Sequence, residues 1–238
     1  MSTTLIHKAN TRGHADHGWL NAYHSFSFAS YYNPERMHFG VLRVLNDDTI
    51  DGGMGFGKHP HDNMEIITIV FEGELKHQDS MGNSAVIKAG DVQVMSAGTG
   101  IQHSEVNNLP HQAVKLLQIW VFPNQKNVTP RYQQISLTKG DRKNKLQQVL
   151  SPNEKDEGVW IHQNAWFYLS ELESGNNLKH TIKLPSNGVY VFVLNGKITV
   201  NGETIERRDA IGISDTDLVT INAEENSEFL VMDLPMIG

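Results

Sequence analysis

Apolar residues recur along this chain in short, interrupted runs. Phe26 and Phe28 alternate with Ser25 and Ser27, and the runs 41–45, 66–71, 92–95 and 116–122 follow. Each run has the length of a strand. Between them stand Asn46-Asp47-Asp48, Asp51-Gly52-Gly53, Met81-Gly82-Asn83 and Ala89-Gly90-Asp91, residue types that favour turns. A period near 3.6 is hard to find: residues 146–150 are the best short helical candidate, and 132–137 fit either element. The pattern predicts an all-β chain with few short helices.

The chain also carries a weak internal echo. Val70-Phe71-Glu72-Gly73-Glu74-Leu75, continued by Ile87-Lys88-Ala89-Gly90-Asp91-Val92, is similar to Val193-Leu194-Asn195-Gly196-Lys197-Ile198, continued by Ile205-Glu206-Arg207-Arg208-Asp209-Ala210. Both read strand, glycine turn, strand, and then an Asp-bearing turn before a further strand. The offset of about 120 residues is too long for a solenoid unit and suits a duplicated barrel. Two barrels also account for 238 residues, more than one small barrel needs. The polar stretch 123–148, basic over 139–145, reads as a solvated connector. The expected domains are therefore 1–135 and 136–238.

Composition narrows the function. A hydrophobic fraction of 39% with 20% charged residues supports a packed core and excludes a wholly disordered chain. Lys and Arg total 20 against 27 Asp and Glu, a net charge of −7, so no global positive field draws the chain onto nucleic acid or anionic lipid. Cysteine is missing, which leaves His and carboxylate to hold any metal. The first residues form no apolar signal core, and no run approaches the roughly 20 residues of a membrane helix, so a cytoplasmic protein without membrane contact is expected. Twelve His, several of them close together, direct attention to metal chemistry.

Two clusters carry that chemistry. His59-Pro60-His61 places two imidazoles at i and i+2, which project to one face of a strand. After the turn Gly98-Thr99-Gly100, His103-Ser104-Glu105 repeats the spacing with a carboxylate. Three neutral nitrogens and one anionic oxygen suit a divalent transition metal such as iron, manganese, nickel, copper, cobalt or zinc. In an octahedral shell two positions remain for an organic chelate or dioxygen.

Gly53-x5-His59-x-His61-x3-Glu65 with Gly73 resembles the first cupin motif, and Gly90-Asp91 through His103-x3-Asn107 resembles the second. Ser96 stands where proline is usual, and extra residues precede His103. His59-Pro60-His61, Glu72-Gly73, His77-Gln78-Asp79-Ser80, the segment from Ala97 to Glu105 and Pro130-Arg131-Tyr132 together resemble pirins, including bacterial pirin-like quercetin 2,3-dioxygenases. Arg12-Gly13-His14, His17-Gly18-Trp19 and the block from His24 to Phe28 resemble the pirin N-terminal block. The likeness is dense over the first half and rests on position and length in the second.

The resemblance implies a bicupin, two double-stranded β-helix barrels of jelly-roll type in tandem, acting as a monomer. It implies one metal, usually iron, in the N-terminal barrel, with ligands at His59, His61, His103 and Glu105. The second barrel, reading Leu178-Lys179-His180-Thr181-Ile182, keeps no His pair and is expected to be metal-free. The implied activity is cleavage of flavonols such as quercetin, or another enolisable substrate, by dioxygen with release of carbon monoxide. Glu105 and Glu65 are the candidate bases. A regulatory module working through a protein partner without turnover, and a vestigial cupin that only binds metal, are the alternatives.

The general cupin pattern uses the Glu65 position as a ligand, whereas pirins use Glu105. Asp62 and Asn63 are turn formers that can reverse the parity between His61 and Glu65, and the flanking residues make both strand faces apolar. Glu65 is expected to stand behind a ligand rather than on the metal. His14, His17, His24, His38, His77 and His111 are expected to be structural, and Trp19, Trp120, Trp160 and Trp166 to pack the core.

Overall fold

Strand dominates the computed structural model, which describes residues 2–236; helical backbone among them is confined to two short 3₁₀ turns, Ala9–Thr11 and Lys139–Arg142. Four sheets form two barrels of one plan, seven strands against four. The first large sheet runs in the order Arg131–Ser136, Asp91–Ser96, Glu65–Glu72, Val114–Val121, Leu42–Ile50, Leu20–His24 and Gly13–Asp16. Its partner sheet holds Gly55–His61, Ile101–Asn107, Glu74–Asp79 and Ser84–Lys88. In the second barrel the large sheet is built around Asn187–Asn195 and Ser227–Pro235, and the small one around Leu218–Ala223 and Lys197–Val200.

The internal echo corresponds to structure. Gly73 and Gly196 carry the chain from the large sheet to the small one at matching points, with φ of 77° and 85°, backbone that a side chain rarely adopts. Asp91 accepts the Lys88 N–H at 2.8 Å, and Asp209 accepts the Glu206 N–H at 3.2 Å. The N-terminal strand departs from the plan: Thr3–His7 pairs with Ala210–Ser214 of the second barrel before the chain enters the first at Gly13. Asp209 clasps it there, accepting from the Ala9 N–H and the Lys8 ammonium.

Successive apolar positions in the central strands follow from how the large sheets meet. Ile67, Ile69 and Ile119 of one sheet join Phe167, Phe192 and Leu230 of the other in a shared buried cluster. Each such side chain contributes about 1.5–3 kcal/mol on leaving water. The alternate positions face the barrel interiors. The second interior is filled by aliphatic and aromatic groups, among them Val191, Ile205, Ile221 and Phe229. In the first, two smaller clusters, one around Val70, Leu75 and Leu116 and one around Ile66, Met95 and Ile101, are separated by polar side chains.

Two expectations are corrected at this level, one left open is resolved and one is refined. Residues 146–150 are not helical, because Gln147–Ser151 is a strand whose Val149 and Leu150 fill the shared cluster. The ambiguous segment is the strand Arg131–Ser136. The basic stretch 139–145 is largely exposed, as expected, but it is anchored at Arg142, which is only 7% exposed and whose Nε donates to Glu171 at 2.8 Å. Asn46-Asp47-Asp48 is no turn: it lies within Leu42–Ile50, paired with Gln118, Leu117 and Leu116, so sheet pairing overrides local preference.

Candidate metal centre and its cavity

Two turns bring the motifs together. Between Gly55–His61 and Glu65–Glu72 the chain changes sheets at Asn63, whose φ is 45° and whose N–H donates to the Gly98 carbonyl at 2.9 Å. Gly98 itself has φ of 49° and lies against the Val128 carbonyl, where any Cβ would collide. Across the paired strands Gly55–His61 and Ile101–Asn107, His103 then faces His59 and Ile101 faces His61.

The three imidazoles converge. Ring centroids lie 4.9 Å apart for His59 and His61, 4.4 Å for His59 and His103, and 4.9 Å for His61 and His103. One nitrogen from each lies within 4.8 Å of the others. His59 Nδ1–H donates to the Gly57 carbonyl at 2.8 Å, which leaves Nε2 as its free lone pair. Asp79 Oδ2 lies 3.2 Å from His77 Nε2, and His77 Nδ1 lies 3.5 Å from His103 Nδ1. Donation along this chain toward Asp79 assigns the proton of His103 to Nδ1, and His103 Nε2 is buried without a partner. Burial, reinforced by His59, His61 and His77, presses His103 down to about 2, while burial and then His59 bring His61 to about 4. Neutral imidazoles are the form that binds metal.

Glu105 completes the set from the same strand. It is buried, and a carboxylate oxygen lies within 4.8 Å of nitrogens of both His77 and His103. Gln118 Nε2 donates to its two oxygens at 3.0 and 3.2 Å, and the Thr68 hydroxyl donates at 3.3 Å. Burial raises the Glu105 carboxyl, opposed by His77, Gln118, His59 and Thr68. His103 thus belongs both to the group with His59 and His61 and to the group with His77 and Glu105.

A cavity of about 510 Å³ opens onto these residues. Trp19, Phe28, Phe56, Ile66 and Trp120 form its apolar walls, and Asn46, Asp48 and Gln118 add polar groups. Trp120 meets His61 edge-on at 4.9 Å, and its indole Nε1 is buried without a partner.

The family model for pirins matches residues 6–121, and that for the quercetinase C-terminal cupin domain matches residues 148–234. A protein of Escherichia coli K12 named quercetin 2,3-dioxygenase is 44% identical over 232 residues, 98% of this chain and 99% of that one. The chain belongs to the pirin family. The crystal structure of the E. coli pirin YhhW in complex with nickel(II) superimposes with a TM-score of 0.93 at 43% identity, covering 99% of this chain and 100% of that one. A pirin-like protein of Caulobacter vibrioides is 41% identical over 222 residues, 93% of this chain and 95% of that one. No helix among the described residues of this pirin is long and apolar enough to cross a membrane.

Of the residues singled out in this pirin's sequence, His59, His61, His103 and Glu105 surround one cavity, whereas Glu65 does not line it. Odd positions of Glu65–Glu72 face the other barrel, as Ile67 and Ile69 show, so the Glu65 carboxyl meets the Ser96 hydroxyl at 2.7 Å instead. Burial pushes it up to about 7 against the pull of Ser96, Arg131 and the His162 backbone. His77, expected to be structural, is buried inside the site. The tryptophans are half-buried at the margins of the core: Trp19, Trp120 and Trp166 pack against the buried clusters, Trp19 and Trp120 also line the cavity, and Arg131 stacks on Trp160 at 3.8 Å. Sequence reasoning missed Thr68 and Gln118, which face each other across the sheet and hold Glu105. Their signal was a lone polar residue inside each of the apolar runs 66–71 and 116–122.

Proposed function

We propose that this pirin is a metal-dependent dioxygenase that opens flavonols such as quercetin with dioxygen and releases carbon monoxide. The observation that carries the proposal is the convergence of three imidazoles and a buried, hydrogen-bonded carboxylate at an aromatic-walled cavity. The donor set fits a divalent transition ion: His103 Nε2 has no protein partner, His59 keeps Nε2 free, and burial holds His61 and His103 neutral. His59, His61, His103 and Glu105 would hold it. Such an ion, iron in our reading, supplies Lewis acidity and one-electron chemistry with dioxygen.

The remaining work falls to the chain. Trp19, Phe28, Phe56 and Trp120 offer flat apolar walls to a planar polyphenol and keep water from the reacting ring. Glu105, lifted by burial, accepts the 3-hydroxyl proton at its carboxylate. Gln118 and Thr68 hold that carboxylate in place.

Metal-loaded protein titrated with quercetin without air is expected to shift the flavonol absorption band to the red, and metal-free protein is not. Admitting air should then consume oxygen and release carbon monoxide. Loaded protein that neither shifts the band nor consumes oxygen would refute the enzyme and favour the regulatory alternative.

A further inference from the structure

Two carboxyls line the cavity, and they are treated differently by the fold. Glu105 is held by Gln118 and Thr68. Asp48 makes no side-chain hydrogen bond among the described residues, and its Oδ1 is buried without a partner. The residue is 5% exposed in the middle of Leu42–Ile50. Burial first, then Asp47 and Glu105, push its carboxyl up to about 8. A buried acid with no partner is a standing cost to the fold, so a group that is not part of the protein is the natural candidate to complete it.

Strand register says where along the cavity that group must lie. Trp120, beside His61, pairs with Val44. Two residues on, Gln118 holds Glu105 and pairs with Asn46; two further on, Leu116 pairs with Asp48. Asp48 is therefore four residues along its strand from the imidazole end, roughly 13 Å at the usual rise. Around it the walls are apolar, with Trp19 and Phe56 in edge contact at 5.3 Å. A neutral hydroxyl donor reaching the carboxyl from the cavity completes it without carrying a charge into that surface.

We infer that Asp48 is a specificity-determining residue whose carboxyl accepts a hydrogen bond from a phenolic hydroxyl at the end of the substrate remote from its chelating oxygens. This inference rests on the flavonol reading of the site. It selects polyhydroxylated aromatic ligands over those that carry the chelating pair alone.

The test is an anaerobic titration of metal-loaded wild type, Asp48→Ala and Asp48→Asn with quercetin and with 3-hydroxyflavone, which keeps the chelating pair and has no other hydroxyl. Asp48→Ala should weaken quercetin about tenfold and leave 3-hydroxyflavone unchanged. Asp48→Asn, whose amide carbonyl still accepts, should retain most of the quercetin affinity. Metal content should equal that of wild type, and the thermal midpoint of Asp48→Ala should not fall, because no protein hydrogen bond is lost and an unpartnered buried acid is removed. Equal change for both ligands, or none, overturns the assignment while leaving the flavonol reading intact. A fall in metal content or midpoint makes Asp48 structural and also overturns it. Wild type that binds neither ligand overturns both readings.

Discussion

Gln118→Met removes the amide that holds Glu105 while keeping a side chain of similar length on the cavity wall. Gln118 Nε2 reaches both carboxylate oxygens at 3.0 and 3.2 Å, one donor shared between two acceptors, and the Thr68 hydroxyl adds a longer contact at 3.3 Å. A hydrogen bond to a charged group contributes about 1.5–3 kcal/mol, and the shared geometry argues for the lower half of that range. Metal affinity should therefore fall by about 10–30-fold, the scale expected when a partner that orients a ligand is lost. Removing the donor also lets burial raise the Glu105 carboxyl further, so protons compete better for it and the deficit should widen as pH falls. Thr68→Val should cost only a few-fold, and the double variant less than the product, since both groups act on one carboxylate. Competition against a chelator of known affinity, with nickel(II) as the probe and folding checked by circular dichroism, gives the numbers. An unchanged affinity in folded Gln118→Met would refute the view that Gln118 positions a ligand.

Glu105→Gln should lower metal content sharply, whereas Glu65→Gln should keep it; elemental analysis of the two purified proteins decides, and the reverse ranking would restore the general cupin pattern. Glu65 also carries a pH signature: its folded carboxyl is raised from 4.5 to about 7, so its charged form opposes folding and stability declines as pH rises through that window. Glu65→Gln should recover up to about 3 kcal/mol at pH 8 and nothing at pH 4, read from denaturant midpoints. His77→Leu, which cannot accept from His103 Nδ1–H, should weaken metal binding by about 10–100-fold without unfolding the barrel. His61→Ala should abolish metal binding, expected at one ion per chain, while the second barrel stays folded, by elemental analysis and calorimetry.

The spacing of His59, His61, His103 and Glu105 was readable because alternation along a strand is local. Glu65 was not, because its parity depends on one residue, Asn63, whose left-handed backbone is fixed by a contact with Gly98 from a distant turn. The strand-rich class followed from short apolar runs, but which face of each run met the cavity did not, since both faces are buried, one in the barrel and one against its neighbour. Asn46 and Asp48 looked like turn formers for the same reason: nothing near them in the chain announces the flanking strands that pair with them. His77 was hidden because its role is visible only through Asp79 and His103 together.

Residues Thr3–His7 belong to a sheet whose adjoining strand begins some 200 residues later, at Ala210. On the ribosome this segment is made about 200 residues before the strand it pairs with, and it waits unpaired through that interval. It is an edge without a neighbour for that interval, and its sparse apolar content suits the wait: three of its five residues are Thr3, Thr4 and His7. Once docked beside Ala210–Ser214, it is a piece of the second barrel that precedes the first in the chain, so a single cut between the barrels leaves this strand on the wrong side.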